Sequence, residues 1–93
     1  MSGATTNDPS ALALRALAAT LGNQRLAARF LSLSGIDPPD LRQRASDPDL
    51  LAELLRFLEA HEPDLIAVAE EIGVKPEALV AARRELQPSG LDE

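Results

Sequence analysis

The chain has no cysteine, no tryptophan and no tyrosine; Phe30 and Phe57 are its only aromatic residues and His61 its only histidine. Lack of cysteine excludes disulfides, thiolate ligands and a thiol nucleophile. A single histidine leaves no Glu-x-x-His or His-x-x-x-His pair, so a histidine-based metal site has nothing to stand on. No Gly-rich phosphate loop or nucleophile elbow occurs, and Ser32 and Ser34 have no base near them in sequence. No catalytic, metal or cofactor-binding residues are therefore expected, and the protein is read as a non-enzyme. No apolar run approaches the ~18 residues of a membrane span. Met1 to Pro9 has neither a basic start nor an apolar stretch, so no membrane association and a cytoplasmic location are expected.

What is present in quantity is leucine and alanine, within 93 residues that suit a single domain. Unbranched side chains lose little rotamer freedom on a helix, so the composition itself favours an all-α fold. A core with few large anchors implies ordinary stability. The formal charge of −6 is unevenly spread: residues 1–46 carry five arginines against three aspartates, a balance of +2, whereas 47–93 carry four cations against twelve acids, a balance of −8. A nucleic-acid binder usually shows the opposite overall sign, so nucleic acid is the disfavoured partner class.

The segment from Asp47 to His61 organises the rest. Leu51, Leu54, Leu55 and Leu58 fall at the i, i+3, i+4, i+7 spacing of one helix face, and Leu50 and Phe57 widen it. Asp47 is a good N-cap and Pro48 suits the first helical position, where no amide hydrogen is needed. Five further helices are read around it. Asp8-Pro9 opens one that runs to Leu21 with Leu14, Leu17, Ala18 and Leu21 inward, and Gly22-Asn23 ends it in the left-handed region. The next spans Gln24–Ser34 with Leu26, Phe30 and Leu33 buried, and Gly35 stops it. Asp37 caps a short helix from Pro38 to about Ala45 with Leu41 and Ala45 buried. After the central helix, one from Pro63 to Ile72 buries Leu65, Val68, Ala69 and Ile72, Gly73 ends it, and Pro76 to Leu86 turns Leu79, Ala82 and Leu86 inward. Ile36 and Val74 point into the core. Residues 8–87 thus form one helical domain, a compact orthogonal bundle of about six short helices, between a disordered tail at 1–7 and a loose one at 88–93.

An internal repeat is also legible. Asp8-Pro9, helix, break, helix, Gly35-Ile36-Asp37-Pro38-x-x-Leu41 is matched by Asp47-Pro48, helix, break, helix, Gly73-Val74-Lys75-Pro76-x-x-Leu79, with Asp-to-Gly intervals of 27 and 26 residues. Two copies are too few for an open array, so two three-helix units should share one core.

Two constellations bear on function. Ala69 to Leu79 has the small residue, glycine corner and later leucine of a helix-turn-helix. Its second helix would offer Glu77, Ala78, Val80, Ala81 and Arg84 to bases, which are poor readers. Only Lys75, Arg83 and Arg84 could approach phosphates, which Glu70, Glu71, Glu77 and Glu85 would repel. A tight structural corner is the simpler reading. Arg25, Arg29, Arg42 and Arg44 could converge where the second and third helices meet, a basic face suited to carboxylates of a protein partner. His61, among Glu59, Glu62 and Asp64, reads as a titrating surface side chain.

Ala11-Leu12-Ala13-Leu14 and then Arg29-Phe30-Leu31-Ser32-Leu33-Ser34-Gly35-Ile36-Asp37-Pro38 resemble the Arg-Phe-Leu-x-Leu-[Ser/Thr]-Gly-[Leu/Ile] pattern of a family of small bacterial proteins, domain of unknown function 3572. Asp47-Pro48 with Leu51, Leu55, Phe57 and Leu58, then Gly73, Pro76 and Ala82-Arg83, extend the match over about residues 10–87. The chain departs from the family pattern at Leu50 and Glu59, which implies a central helix less aromatic and more exposed than usual. The resemblance implies a compact helical domain and brings no site residues with it. The functional expectation is a protein-interaction module, binding another protein or itself, with a DNA-binding regulator as the alternative.

Overall fold

A computed structural model describes residues 8–87, and among them the chain forms six helices and no strand: α1 Pro9–Leu21, α2 Gln24–Ser34, α3 Pro38–Gln43, α4 Pro48–Glu59, α5 Glu62–Ile72 and α6 Pro76–Leu86. The expectations for 1–7 and 88–93 lie outside the described residues. Helix starts follow from side-chain chemistry. The Asp8 and Asp47 carboxylates accept hydrogen bonds from the Ser10 and Asp49 amides, and the Asn23 amide oxygen accepts from the Arg25 and Leu26 amides, each satisfying donors that the first helical turn leaves unpaired. Asp37 occupies the same position before α3 without making that bond. Proline lies in the first turn of every helix except α2. Gly35 and Gly73 end α2 and α5 with φ of 72° and 78°, a region that costs any residue with a Cβ. Gly22, expected to be left-handed, has φ −76° and lets α1 end in right-handed geometry. The ends of α3 and α4, and the start of α5, each fall one or two residues from their sequence-read positions.

The core is built on α4. Leu50, Leu51, Ala52, Leu54, Leu55 and Leu58 are all buried, so Leu50 does not expose the central helix. Against α4 pack α1, α5 and α6, with α1 also packing on α2, α5 and α6. A radius of gyration of 12.6 Å is close to the ~12 Å of a compact chain this short. Ile36, Ala45, Ile72, Val74 and Leu86 are half-buried against the same cluster.

The inward face of α1 differs from the one expected. Leu12, Ala13, Ala16, Leu17 and Thr20 are buried, whereas Leu14, Ala18 and Leu21 are exposed. Small residues face α4 and α6 because they let the helices approach closely, and the Thr20 hydroxyl can be buried because it donates to the Ala16 carbonyl at 2.8 Å. In α2, Leu26 and Phe30 are buried but Leu33 is 74% exposed.

The repeat is local rather than global. Both first helices start at a capping aspartate with ψ 119°, both end right-handed, and both second helices end at a left-handed glycine. The third helices diverge: α6 packs on both α1 and α4, whereas α3 contributes only Leu41 to the fully buried core.

Candidate docking surface

Between α1 and α3 runs an open groove of about 250 Å³, lined by Leu14, Leu17, Ala18, Leu21, Leu41, Arg42 and Ala45. Its only charged lining group is the Arg42 guanidinium. Leu14 is 43% and Leu21 39% exposed, and these positions lie seven residues apart, about 10.5 Å along the helix axis. As Leu17 is buried beneath them, the groove has a leucine floor and two leucine rims. A helix that is apolar on every side is ordinarily covered on every side. On α1 the inner face meets α4 and α6, and among the described residues the outer stripe is left partly exposed along the groove.

Alignment of the two halves sharpens this point. Counting from the opening proline, Leu14, Leu17 and Leu21 correspond to Glu53, Arg56 and Ala60 on α4, all of which are exposed. Two of these three solvated positions on α4 are charged and the third is alanine, whereas all three on α1 are leucine, with Leu17 buried and Leu14 and Leu21 exposed. That comparison was available from the sequence and is the signal by which the outward direction of Leu14 and Leu21 could have been found.

The four arginines read as a basic face have separate roles. Arg42 borders the groove. Arg44 pairs with Asp47 at 3.4 Å, beside the start of α4. Arg25 is exposed in the first turn of α2, and neither it nor Arg42 has an ion-pair partner within 4 Å among the described residues. Arg29 is committed inward: its Nη1 donates to Asp64 Oδ2 at 2.8 Å, and its guanidinium carbon lies 5.5 Å from the centroid of the Phe57 ring, which itself packs at 5.3 Å and 60° against Phe30.

Asp64, one of the acids beside His61, is only 4% exposed. Besides Arg29, His61 Nδ1 lies 2.9 Å from the same Oδ2. The group occupies the first turn of α5, where a carboxylate also meets the positive end of the helix dipole. Its geometry ties α2 to α5. Two other arginines do comparable work: Arg15 donates from α1 to the Ile72 carbonyl at the end of α5 at 2.6 Å, and Arg83 donates from α6 to Glu59 on α4 at 2.5 Å.

On α6, Leu79 and Ala82 are spent on the core, and the exposed positions are Glu77, Ala81, Arg84 and Glu85. The second helix of the Gly73 corner therefore presents two carboxylates and the Arg84 guanidinium, which pairs with no acid among the described residues. No group of three or more His, Cys, Asp or Glu side chains capable of holding a metal occurs among the described residues, and none of the described helices is long and apolar enough to cross a membrane.

The family described as "Protein of unknown function (DUF3572)" matches residues 6–89. That is nearly the whole chain, and the protein belongs to this family, as the Arg29–Pro38 and Asp47–Leu58 patterns implied. No curated protein and no solved structure matches it.

Proposed function

We propose that this member of the family is a non-enzymatic protein-interaction module that receives a helix of its partner in the groove between α1 and α3. The observation that carries the reading is the outward leucine stripe of α1, Leu14 and Leu21, set over Leu17 and Leu41 and beside Arg42. Two exposed leucines seven residues apart, over an apolar floor, match the way an amphipathic helix lays successive apolar turns into a groove. The space suits side chains rather than a metabolite, since small-molecule pockets usually enclose ~300–1,000 Å³. Catalysis gains no support from the cluster of Arg29, His61 and Asp64, because Asp64 is already engaged by Arg29 from α2 and by His61 at the start of its own helix.

The test is a photo-crosslinking residue placed at Leu21, with a second placed at Arg84 on the outer side of α6 as the comparison, in cells that naturally make the protein. A discrete protein adduct from position 21, weak or missing from position 84, is the expected result. Nucleic acid captured at position 84, with no protein adduct at 21, would replace this reading by the DNA-binding one, and no adduct at 21 under any growth condition would remove it.

A further inference from the structure

We infer that the groove's occupant is a second copy of the same chain, docked through the outer face of α5; this rests on the groove being an interaction site. The outer face of α5 has the complementary chemistry. Ile66 is 40% exposed, and Glu62 and Glu70, one turn before and one turn after it, are exposed as well. An apolar side chain flanked by two carboxylates on one helical stripe is what a leucine groove bordered by a lone guanidinium would accept: Ile66 between Leu14 and Leu21, with a glutamate reaching Arg42. The charge asymmetry of the two halves has the same sense, because the groove belongs to the half with a balance of +2 and α5 to the half with −8.

The placement of the two surfaces allows the assembly to close. Ala18 lines the leucine groove and also a broader depression shared with Ala67 and Glu71 of α5. Groove and α5 therefore flank α1 on either side, with Ala67 and Glu71 turned towards the depression and the Glu62, Ile66 and Glu70 stripe outside it. A two-fold axis between them would bring the α5 of each copy to the groove of the other, making two equivalent contacts and leaving no unfilled groove to propagate a chain. The exposed apolar area is small, so the dimer belongs with weak, concentration-dependent associations rather than obligate ones.

Sedimentation velocity over a concentration series, up to about 1 mM, tests this with the full-length protein and the variants Leu14→Glu and Ile66→Glu. Both side chains are partly exposed and lie outside the buried core, and far-ultraviolet circular dichroism checks that the fold is kept. Reversible dimerisation of the wild type, weakened at least 10-fold in each variant, is expected. An equimolar mixture of the two variants should then associate more tightly than either alone, because one intact Ile66 meets one intact groove. A wild type that stays monomeric throughout would overturn the self-docking while leaving the groove as a site for another protein, which the Leu21 adduct, by its mass, would identify. A dimer that neither substitution weakens, or a mixture no better than its components, would equally overturn it.

Discussion

Asp64 shows most clearly how one side chain acquires meaning from the fold. In sequence it is one acid among Glu59, Glu62 and Asp64 beside a histidine; in the structure it is the sole buried carboxylate among the described residues, contacted by Arg29 and His61. Hydrogen bonds to charged groups contribute ~1.5–3 kcal/mol when shielded from water. Here the Arg29 side chain is half in solvent, which lowers that figure. Asp64→Ala should therefore destabilise the protein by about 1–2 kcal/mol, and the Asp64→Ala/Arg29→Met double-mutant cycle should return a coupling of about 1 kcal/mol in urea unfolding. A coupling indistinguishable from zero would mean that the pair is a solvated contact that adds nothing to the hold of α2 on α5. Arg29→Met also removes the guanidinium that lies over Phe57, but that loss occurs with or without Asp64 and cancels in the cycle, so the coupling reports the Arg29–Asp64 pair.

Helix by helix, the two glycine stops and the glycine between α1 and α2 make opposite predictions. Gly73 has φ 78°, and a Cβ built there meets nothing within 4 Å, so Gly73→Ala costs only backbone strain, roughly 1–2 kcal/mol. Gly22 has an ordinary negative φ and room for a Cβ at 3.5 Å from two carbonyls. Gly22→Ala should leave stability unchanged or raise it by up to about 1 kcal/mol through the unfolded chain. Thermal unfolding of the two variants, moving in opposite directions, checks both. The same elements show what the sequence made legible. Every helix, the proline starts of all but α2 and the leucine face of α4 could be read, because capping residues and a six-residue apolar face are local signals. The inner face of α1 could not, because hydrophobicity ranks Leu14 and Leu21 above Ala13, Ala16 and Thr20. The close approach of α4 and α6 reverses that order, and a threonine that bonds its own helix removes the penalty for burying it. Leu33, 74% exposed, shows the same limit: its hydrophobicity places it inward although no element covers it among the described residues. The groove, which depends on both α1 and α3, inherited the first of these errors.

For the molecule as a whole, the decisive fact is where α6 sits. It packs on α1 and on α4, and α1 packs on α4 and α5, so the last helix closes a core that begins with the first. Although the caps of α1–α3 repeat in α4–α6, the two halves are not two small domains. Separated from α1, α4 would expose leucines that are now fully buried, at roughly 1.5–3 kcal/mol for each side chain returned to water, in a chain whose entire stability is of the order of 5–15 kcal/mol. Residues 1–46 would lose every partner of α1 except α2, and α3 offers no substitute for α6. Expressed alone, 1–46 and 47–93 should each give the weak helical dichroism of an unfolded chain and poorly dispersed amide resonances, while an equimolar mixture should recover helicity in proportion to complex formed, since the missing surface is then supplied in trans. Either half folding cooperatively on its own would show that the repeat is structurally autonomous, and would require α4–α6 to bury its leucines without α1, which the present packing does not provide.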